Sequence, residues 1–144
     1  MTPTESAAAK PQLITPTFVL AWVANFCQFL VFYLFVTTMA LYAVESFGAS
    51  DTVGGFASSA FVLGATCMRV FSGWIVDRVG HKKAALTSLA FVTVVAVAYF
   101  FAHNVAVLII VRMVHGAGYA LTSTALMAVA QSVIPHERRA EGTG

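Results

Sequence analysis

The chain has 144 residues, of which 59% are hydrophobic and 10% are charged, and its formal net charge is +2. Soluble domains carry about 25% charged and 45–50% apolar residues, so this composition excludes an ordinary soluble domain. The small net charge gives no indication that the chain binds nucleic acid. The composition therefore indicates a membrane protein.

Four apolar stretches are each long enough to cross a bilayer, since about 20 residues at 1.5 Å each span the hydrocarbon core. We predict an all-α membrane protein with four transmembrane helices at about residues 17–43, 52–77, 84–102 and 105–134. Residues 1–16 are predicted to be a cytoplasmic tail. The first apolar stretch is too long, and lacks the preceding basic cluster, for a cleavable signal peptide.

The ends of the first two helices carry recognisable signals. Pro16 suits the first turn of the first helix. Residues 45–51 form a predicted turn, in which Ser50 or Asp51 caps the second helix. Gly80 stands where helices commonly end in a left-handed residue.

The third predicted helix has almost no polar face, and we predict that it faces lipid. Its large apolar side chains are Phe91, Val92, Val94, Val95, Val97, Phe100 and Phe101. After it, Asn104 can cap the fourth helix, and Pro135 ends that helix.

Lysine and arginine between the helices lie on only one side of the predicted membrane. The loops and tails on that side hold six of them, namely Lys10, Arg78, Lys82, Lys83, Arg138 and Arg139. The two other loops hold Glu45, Asp51 and His103 but no lysine or arginine. The positive-inside rule therefore predicts a multi-pass protein of the cell membrane with a cytoplasmic amino terminus.

The second and fourth helices carry small residues at spacings that suit close helix packing. They are Gly54, Gly55, Ser58, Ser59 and Gly64 in the second helix, and Gly116, Ala120, Thr124 and Ala128 in the fourth. Small residues let helix backbones approach closely where lipid supplies no hydrophobic driving force. We predict that Gly116 and Gly118 serve helix packing.

The loop after the second helix contains the sequence Gly73-Trp-Ile-Val-Asp77-Arg78-Val-Gly80-His81-Lys82-Lys83. It resembles motif A of the major facilitator superfamily, in which a glycine precedes an Asp-Arg or Asp-Lys pair, a second glycine and basic residues. His81 departs from the pattern, since the family usually has arginine or lysine there. The resemblance implies that Gly73, Asp77, Arg78, Gly80 and Lys82 form a gate whose charges stabilise the outward-facing state.

Two further segments resemble the same family. The segment from Arg112 to Gly118 is similar to motif B, an intramembrane arginine followed by a glycine-rich turn. Residues 135–144 are similar to the cytoplasmic lead into the family's fifth helix. The resemblance implies a twelve-helix fold in two six-helix halves, of which this chain holds four helices.

Polar residues on the first and fourth helices indicate a transport pathway. Arg112 lies about 10 Å below the external surface at 1.5 Å per residue, and an intramembrane charge usually marks a functional site. His115, Tyr119 and Ser123 continue its stripe along the fourth helix. The family resemblance adds that the first and fourth helices line the central cavity.

The first helix offers Asn25 and Gln28 on one face, and Gln28 reaches the same depth as His115. We predict that Asn25, Gln28, Arg112, His115 and Tyr119 line a substrate and proton pathway. Interhelical hydrogen bonding by Asn25 and Gln28 is an alternative. His115 titrates naturally between pH 5 and 8 and could carry a coupling proton, or it could be a satisfied core histidine.

The predicted function is secondary active transport of small organic molecules, as a proton-coupled efflux permease working by alternating access. The expected partners are the substrate, protons, the lipid bilayer and the remaining helices of the transporter. The alternative is a free-standing four-helix protein that acts as a dimeric accessory subunit. No nucleophile–base pair, carboxylate pair or metal-ligand spacing indicates an enzyme, a cofactor or a metal, and Cys27 and Cys67 are predicted to be apolar packing residues.

Overall fold

The computed structural model describes residues 14–135, which form four α-helices. They are α1 (Pro16–Phe47), α2 (Asp51–Val79), α3 (His81–Ala98) and α4 (Val105–Ser132), with a 3₁₀ turn at Tyr99–Phe101 after α3. This range contains no strand, and all four helical segments are long and apolar enough to span a membrane. The predicted all-α class is confirmed. The predictions that rest on Lys10, Arg138 and Arg139 lie outside the described residues.

Polar side chains cap the helices at their amino-terminal ends. Thr15 accepts a hydrogen bond of 3.2 Å from the backbone N–H of Phe18, at the start of α1. Ser50, rather than Asp51, is the cap of α2. Asn104 accepts a bond of 2.9 Å from the N–H of Val107 and caps α4, as its position in the sequence predicts.

Two glycines end helices with positive φ angles. Gly48 ends α1 in the left-handed conformation, with φ 62° and ψ 25°. Gly80 differs from the expected left-handed residue, because its φ of 92° is combined with a ψ of 136°. This extended geometry, which side-chain-bearing residues rarely adopt, lets α3 begin at His81, directly after α2. A single residue therefore joins α2 to α3.

The fourth helix packs against each of the other three, and its most extensive contact is with α2. Two glycines bring these helices together. A methyl group at Gly64 would overlap the backbone carbonyl of Met113, and one at Gly116 would overlap the carbonyl oxygen of Phe61. The α2–α4 contact therefore brings backbone against backbone.

Gly118 serves a different contact. A methyl group there would lie 2.7 Å from Cγ1 of Val92 and 2.9 Å from Cδ1 of Phe91, both on α3. Val92 and Val95 are buried, so the prediction of a wholly lipid-facing third helix is wrong for these two. The other five large side chains named above are exposed, because α3 presents one face to α4 and the opposite face outward.

Candidate functional site

Among the cavities between the described helices, two are lined by polar side chains from the predicted pathway. The first, called here the apolar cavity, has a volume of about 370 Å³ and lies between α1, α3 and α4. Its walls include Gln28, Phe32, Phe61, Val92, His115 and Tyr119. The second, called the polar cavity, has a volume of about 390 Å³. Its walls include Asn25, Arg69, Tyr119, Ser123, Thr124 and Gln131.

The apolar cavity contains few polar groups, and Gln28 is one of them. This side chain is 9% exposed, and its Oε1 atom has no hydrogen-bond partner among the described residues. A buried amide oxygen without a partner loses the hydrogen bonds it would make in water. Gln28 therefore contributes a buried, unpartnered acceptor to the wall of a mostly apolar cavity.

His115 lies on the opposite wall, on α4. Its Nδ1 atom is 3.1 Å from the hydroxyl of Tyr99, which follows α3. The rings of Phe35 and Phe61 approach the imidazole edge to face, with centroids at 5.9 Å and 5.5 Å. The imidazole is thus oriented by one hydrogen bond and an aromatic enclosure. Tyr99 was missed by the sequence analysis, although it is the only tyrosine in the third apolar stretch.

Tyr119 belongs to the walls of both cavities. Its ring stacks on that of Phe32, with centroids 5.8 Å apart and planes inclined by 28°. Phe29 meets it edge to face at 6.1 Å. The two cavities therefore adjoin at this tyrosine, one turn along α4 from His115.

Arg112 lies apart from both cavities. Its side chain is completely buried, and Nη2 donates to the carbonyl oxygen of Ser58 at 2.8 Å while Nε donates to that of Ala57 at 3.4 Å. The guanidinium carbon lies 4.9 Å from the centroid of the Phe61 ring, a cation–π distance. The side chain of Arg112, which was predicted to line the pathway, points to the backbone of α2.

The polar cavity lies toward the end of the bundle that holds Arg78, Lys82 and Lys83, called here the basic end. Asn25 contributes an Oδ1 atom that is buried without a hydrogen-bond partner. Thr124 is held in place by a 2.8 Å bond to the carbonyl oxygen of Ala120 and a 3.1 Å contact with the hydroxyl of Ser72. Asn25 and Gln28 were predicted on one face of the first helix, and the structure assigns them to different cavities.

Arg69 is the charged residue of the polar cavity. The sequence analysis left it out of the predicted pathway. Its position inside the second apolar stretch, eight residues before Asp77, was a usable signal. Intramembrane charges are costly and usually face a cavity or a partner.

The segment that resembles motif A lies at the basic end and is largely exposed. Oδ1 of Asp77 is 3.9 Å from Nε2 of His81, one turn further along the chain. The guanidinium of Arg78 covers the Trp74 ring at 5.3 Å. A methyl group at Gly73 would meet nothing within 4 Å, so this glycine presents an open surface.

Of the five predicted pathway residues, Gln28, His115 and Tyr119 share the apolar cavity, and Asn25 joins Tyr119 in the polar one. The family model described as Major Facilitator Superfamily matches residues 21–144. Neither a curated protein nor a solved structure matches the chain.

Proposed function

Because this chain belongs to the major facilitator superfamily, and is therefore part of a membrane transporter, we propose that it acts in secondary active export of small organic molecules in exchange for protons. The transport would proceed by alternating access, in which a mid-membrane site opens to one side of the membrane at a time. The cell membrane is the proposed location, with the amino terminus in the cytoplasm.

The apolar cavity is the observation that carries this proposal. Small-molecule sites are concave and mostly apolar, and a few placed polar groups fix the ligand's orientation. Here the polar side chains in the wall include Gln28, His115 and Tyr119, and the Gln28 oxygen is buried without a partner among the described residues. A substrate that donates a hydrogen bond to this oxygen would satisfy it.

His115 is the proposed proton carrier. Among the described residues it is the only histidine in a helix interior, since His81 begins α3 and His103 precedes α4. Histidine is the side chain whose unperturbed pKa lies nearest neutrality. Its place in the cavity wall would let a proton and a substrate influence one another directly.

The proposed gate is formed by Gly73, Asp77, Arg78, Gly80 and Lys82 at the basic end. Asp77 is highly exposed and has only the 3.9 Å contact with His81 as an ion pair within residues 14–135. An exposed pair of this kind contributes little to stability. Asp77 is therefore available to a partner that approaches the basic end when the gate closes.

Transport by the complete protein in proteoliposomes tests the proposal. A panel of lipophilic fluorescent dyes is added to vesicles with an imposed proton gradient, and internal pH is followed at the same time. We expect at least one dye to move against its gradient and to dissipate the pH difference. Dye movement that is indifferent to the proton gradient would refute proton coupling, and failure of every dye to move would refute export of this substrate class.

A further inference from the structure

Arg69 occupies the wall of the polar cavity without an acidic partner. The acidic residues among positions 14–135 are Glu45, Asp51 and Asp77, and all three lie at helix ends. Asp51 and Asp77 both lie on α2 with Arg69, and Asp77, the nearer in sequence, is eight residues away, about 12 Å at 1.5 Å per residue. The positive charge of Arg69 is therefore not neutralised within the described part of the chain.

Arg112 shows by contrast what a structural arginine looks like in this bundle. Its guanidinium is completely buried and bonds to the carbonyl oxygens of Ala57 and Ser58. At Arg112 two guanidinium nitrogens donate to these carbonyl oxygens, while Nη1 is buried without a partner among the described residues. The guanidinium of Arg69 makes no hydrogen bond to a described residue, and Arg69 lines a cavity of about 390 Å³. The guanidinium fork of Arg69, which matches carboxylate and phosphate groups, faces the polar cavity instead.

The surroundings of Arg69 are polar on the α1 and α4 sides of the cavity. Tyr119, Ser123 and Thr124 supply hydroxyl groups, and Asn25 supplies a buried amide with an unpartnered oxygen. An amide and a hydroxyl can bind both the anionic group and a neighbouring donor of one ligand. Among the described residues that line the cavity, none carries a carboxylate that would repel an anion.

We propose that the polar cavity binds the anionic group of the transported molecule through Arg69, with Asn25 and Tyr119 as its polar neighbours. The substrate class is a small organic anion, a carboxylate or a phosphate ester. Its apolar part would extend past Tyr119 into the apolar cavity, which the same tyrosine lines. That the bound anion is a transport substrate rests on the proposed function. That the cavity binds an anion rests on the geometry alone.

The charge of the cavity can be measured without knowing the substrate. Met127 lines the polar cavity and is exposed, so Met127→Cys places a thiol beside the site. Cys27 and Cys67 are first replaced by alanine, because both are exposed free thiols. The complete, detergent-purified protein is then labelled with an anionic ethylsulfonate methanethiosulfonate and, separately, with its cationic trimethylammonium counterpart.

We expect Arg69→Gln to lower the ratio of the anionic to the cationic labelling rate by about tenfold, because a fixed charge in a cleft concentrates ions of the opposite sign. Lys83→Gln removes the same charge from an exposed position at the basic end and should leave the ratio unchanged. An equal ratio with and without Arg69 overturns the anion site. A matching loss in Lys83→Gln would also overturn it, because the effect would then come from net charge.

Protection experiments identify the source of the anion. Benzoate, its neutral isostere benzamide, inorganic phosphate and phosphatidylglycerol are each tested for slowing of the Met127→Cys reaction. Protection by benzoate or phosphate, absent with benzamide and lost in Arg69→Gln, supports a site for a free anion. Protection by phosphatidylglycerol alone, or by none of the four, overturns it. The labelling assay needs no transport, so failure of the anion site and failure of the transport function are separate results.

Discussion

The hydroxyl of Tyr99 lies 3.1 Å from Nδ1 of His115, and this contact joins the end of the third helical segment to the middle of α4. The bond fixes the orientation of the His115 imidazole, and His115 also lines the apolar cavity. Protonation of His115 would therefore affect both a ligand in the cavity and the contact between α3 and α4.

The first prediction is that His115→Gln flattens the dependence of transport on external pH. Glutamine keeps a hydrogen-bonding group at this position but cannot carry a proton, so coupled export should be abolished or uncoupled. Transport is measured against external pH and normalised to membrane-inserted protein. His103→Gln, at an exposed site outside the helices, is the matched control and should keep the original profile.

A purely structural histidine gives another result. In that case His115→Gln would reduce expression or thermal stability, and the surviving protein would keep its normal pH profile and specific activity. Tyr99→Phe separates the two roles further. It removes one hydrogen bond, and we expect a loss of about 1 kcal/mol in the free energy of unfolding.

A second prediction concerns the glycine contacts between α2 and α4. Gly116→Ala and Gly64→Ala each place a methyl group against a backbone carbonyl that cannot move aside without shifting the helix. We expect each to lower the free energy of unfolding by about 1–3 kcal/mol or more. Thermal unfolding of the purified protein measures the effect.

Gly55→Ala is the matched control, because a methyl group there meets nothing within 4 Å. It should be neutral or stabilising, by up to about 1 kcal/mol, since alanine is the better helix former. Equal behaviour of Gly55→Ala and Gly116→Ala would show that helix propensity, and not close packing, governs the α2–α4 contact.

The third prediction is that Arg112→Lys destabilises the bundle while leaving substrate affinity in the folded fraction unchanged. Lysine cannot reproduce the two guanidinium contacts with the carbonyl oxygens of Ala57 and Ser58. Loss of a hydrogen bond from a charged group costs about 1.5–3 kcal/mol. The midpoint of thermal unfolding and the transport KM are measured together.

Lys83→Arg makes the reverse exchange at an exposed position, and it should change neither the midpoint of thermal unfolding nor the transport KM. A raised KM in Arg112→Lys at unchanged stability would return Arg112 to the substrate pathway.

The four helices and the cap at Asn104 could be predicted from the sequence, because length, hydropathy and capping residues act locally. Small-residue spacing predicted that α2 and α4 pack closely in a bundle, but not that they pack against each other. The contacts of the Arg112 side chain could not be predicted. Its position on the helix surface was correct, but a long flexible side chain can end in a cavity or on a neighbouring backbone. Only the packed α2 backbone decides between these.

The same limit applies to Arg69 and to Asn25 and Gln28. Periodicity placed Asn25 and Gln28 on one face, but Tyr119 projects between the helices and adjoins both cavities. Arg69 was left out of the predicted pathway, because its cavity is formed with α1 and α4, which are distant in the sequence. Tertiary contacts of this kind have no local pattern.

A fourth prediction concerns topology. Single cysteines at Ser50 and Lys82, in a background without Cys27 and Cys67, are labelled with an impermeant reagent in intact cells. We expect Ser50→Cys to react from outside and Lys82→Cys only after permeabilisation, because the basic residues favour the cytoplasmic side. Labelling of Lys82→Cys in intact cells would contradict the predicted orientation and indicate the opposite one.

The fifth prediction is that Asp77→Asn impairs transport and leaves membrane insertion and stability intact. The exposed carboxylate contributes little to folding, so its loss should affect only the gate. Transport is compared with that of Glu45→Gln, an exposed carboxylate at the other end of the bundle. Normal transport by well-expressed Asp77→Asn would contradict the gating role.

The contacts of Arg112, Gly64 and Gly116 all fall on the same few turns of α2 and α4. Sliding one helix along the other would make backbone atoms overlap. It would also break the hydrogen bonds from the Arg112 guanidinium to carbonyl oxygens of α2. The two helices therefore keep a fixed register, and we expect them to move together as one rigid unit. A motion that keeps this pair intact would instead change the contacts that α1 and α3 make with it.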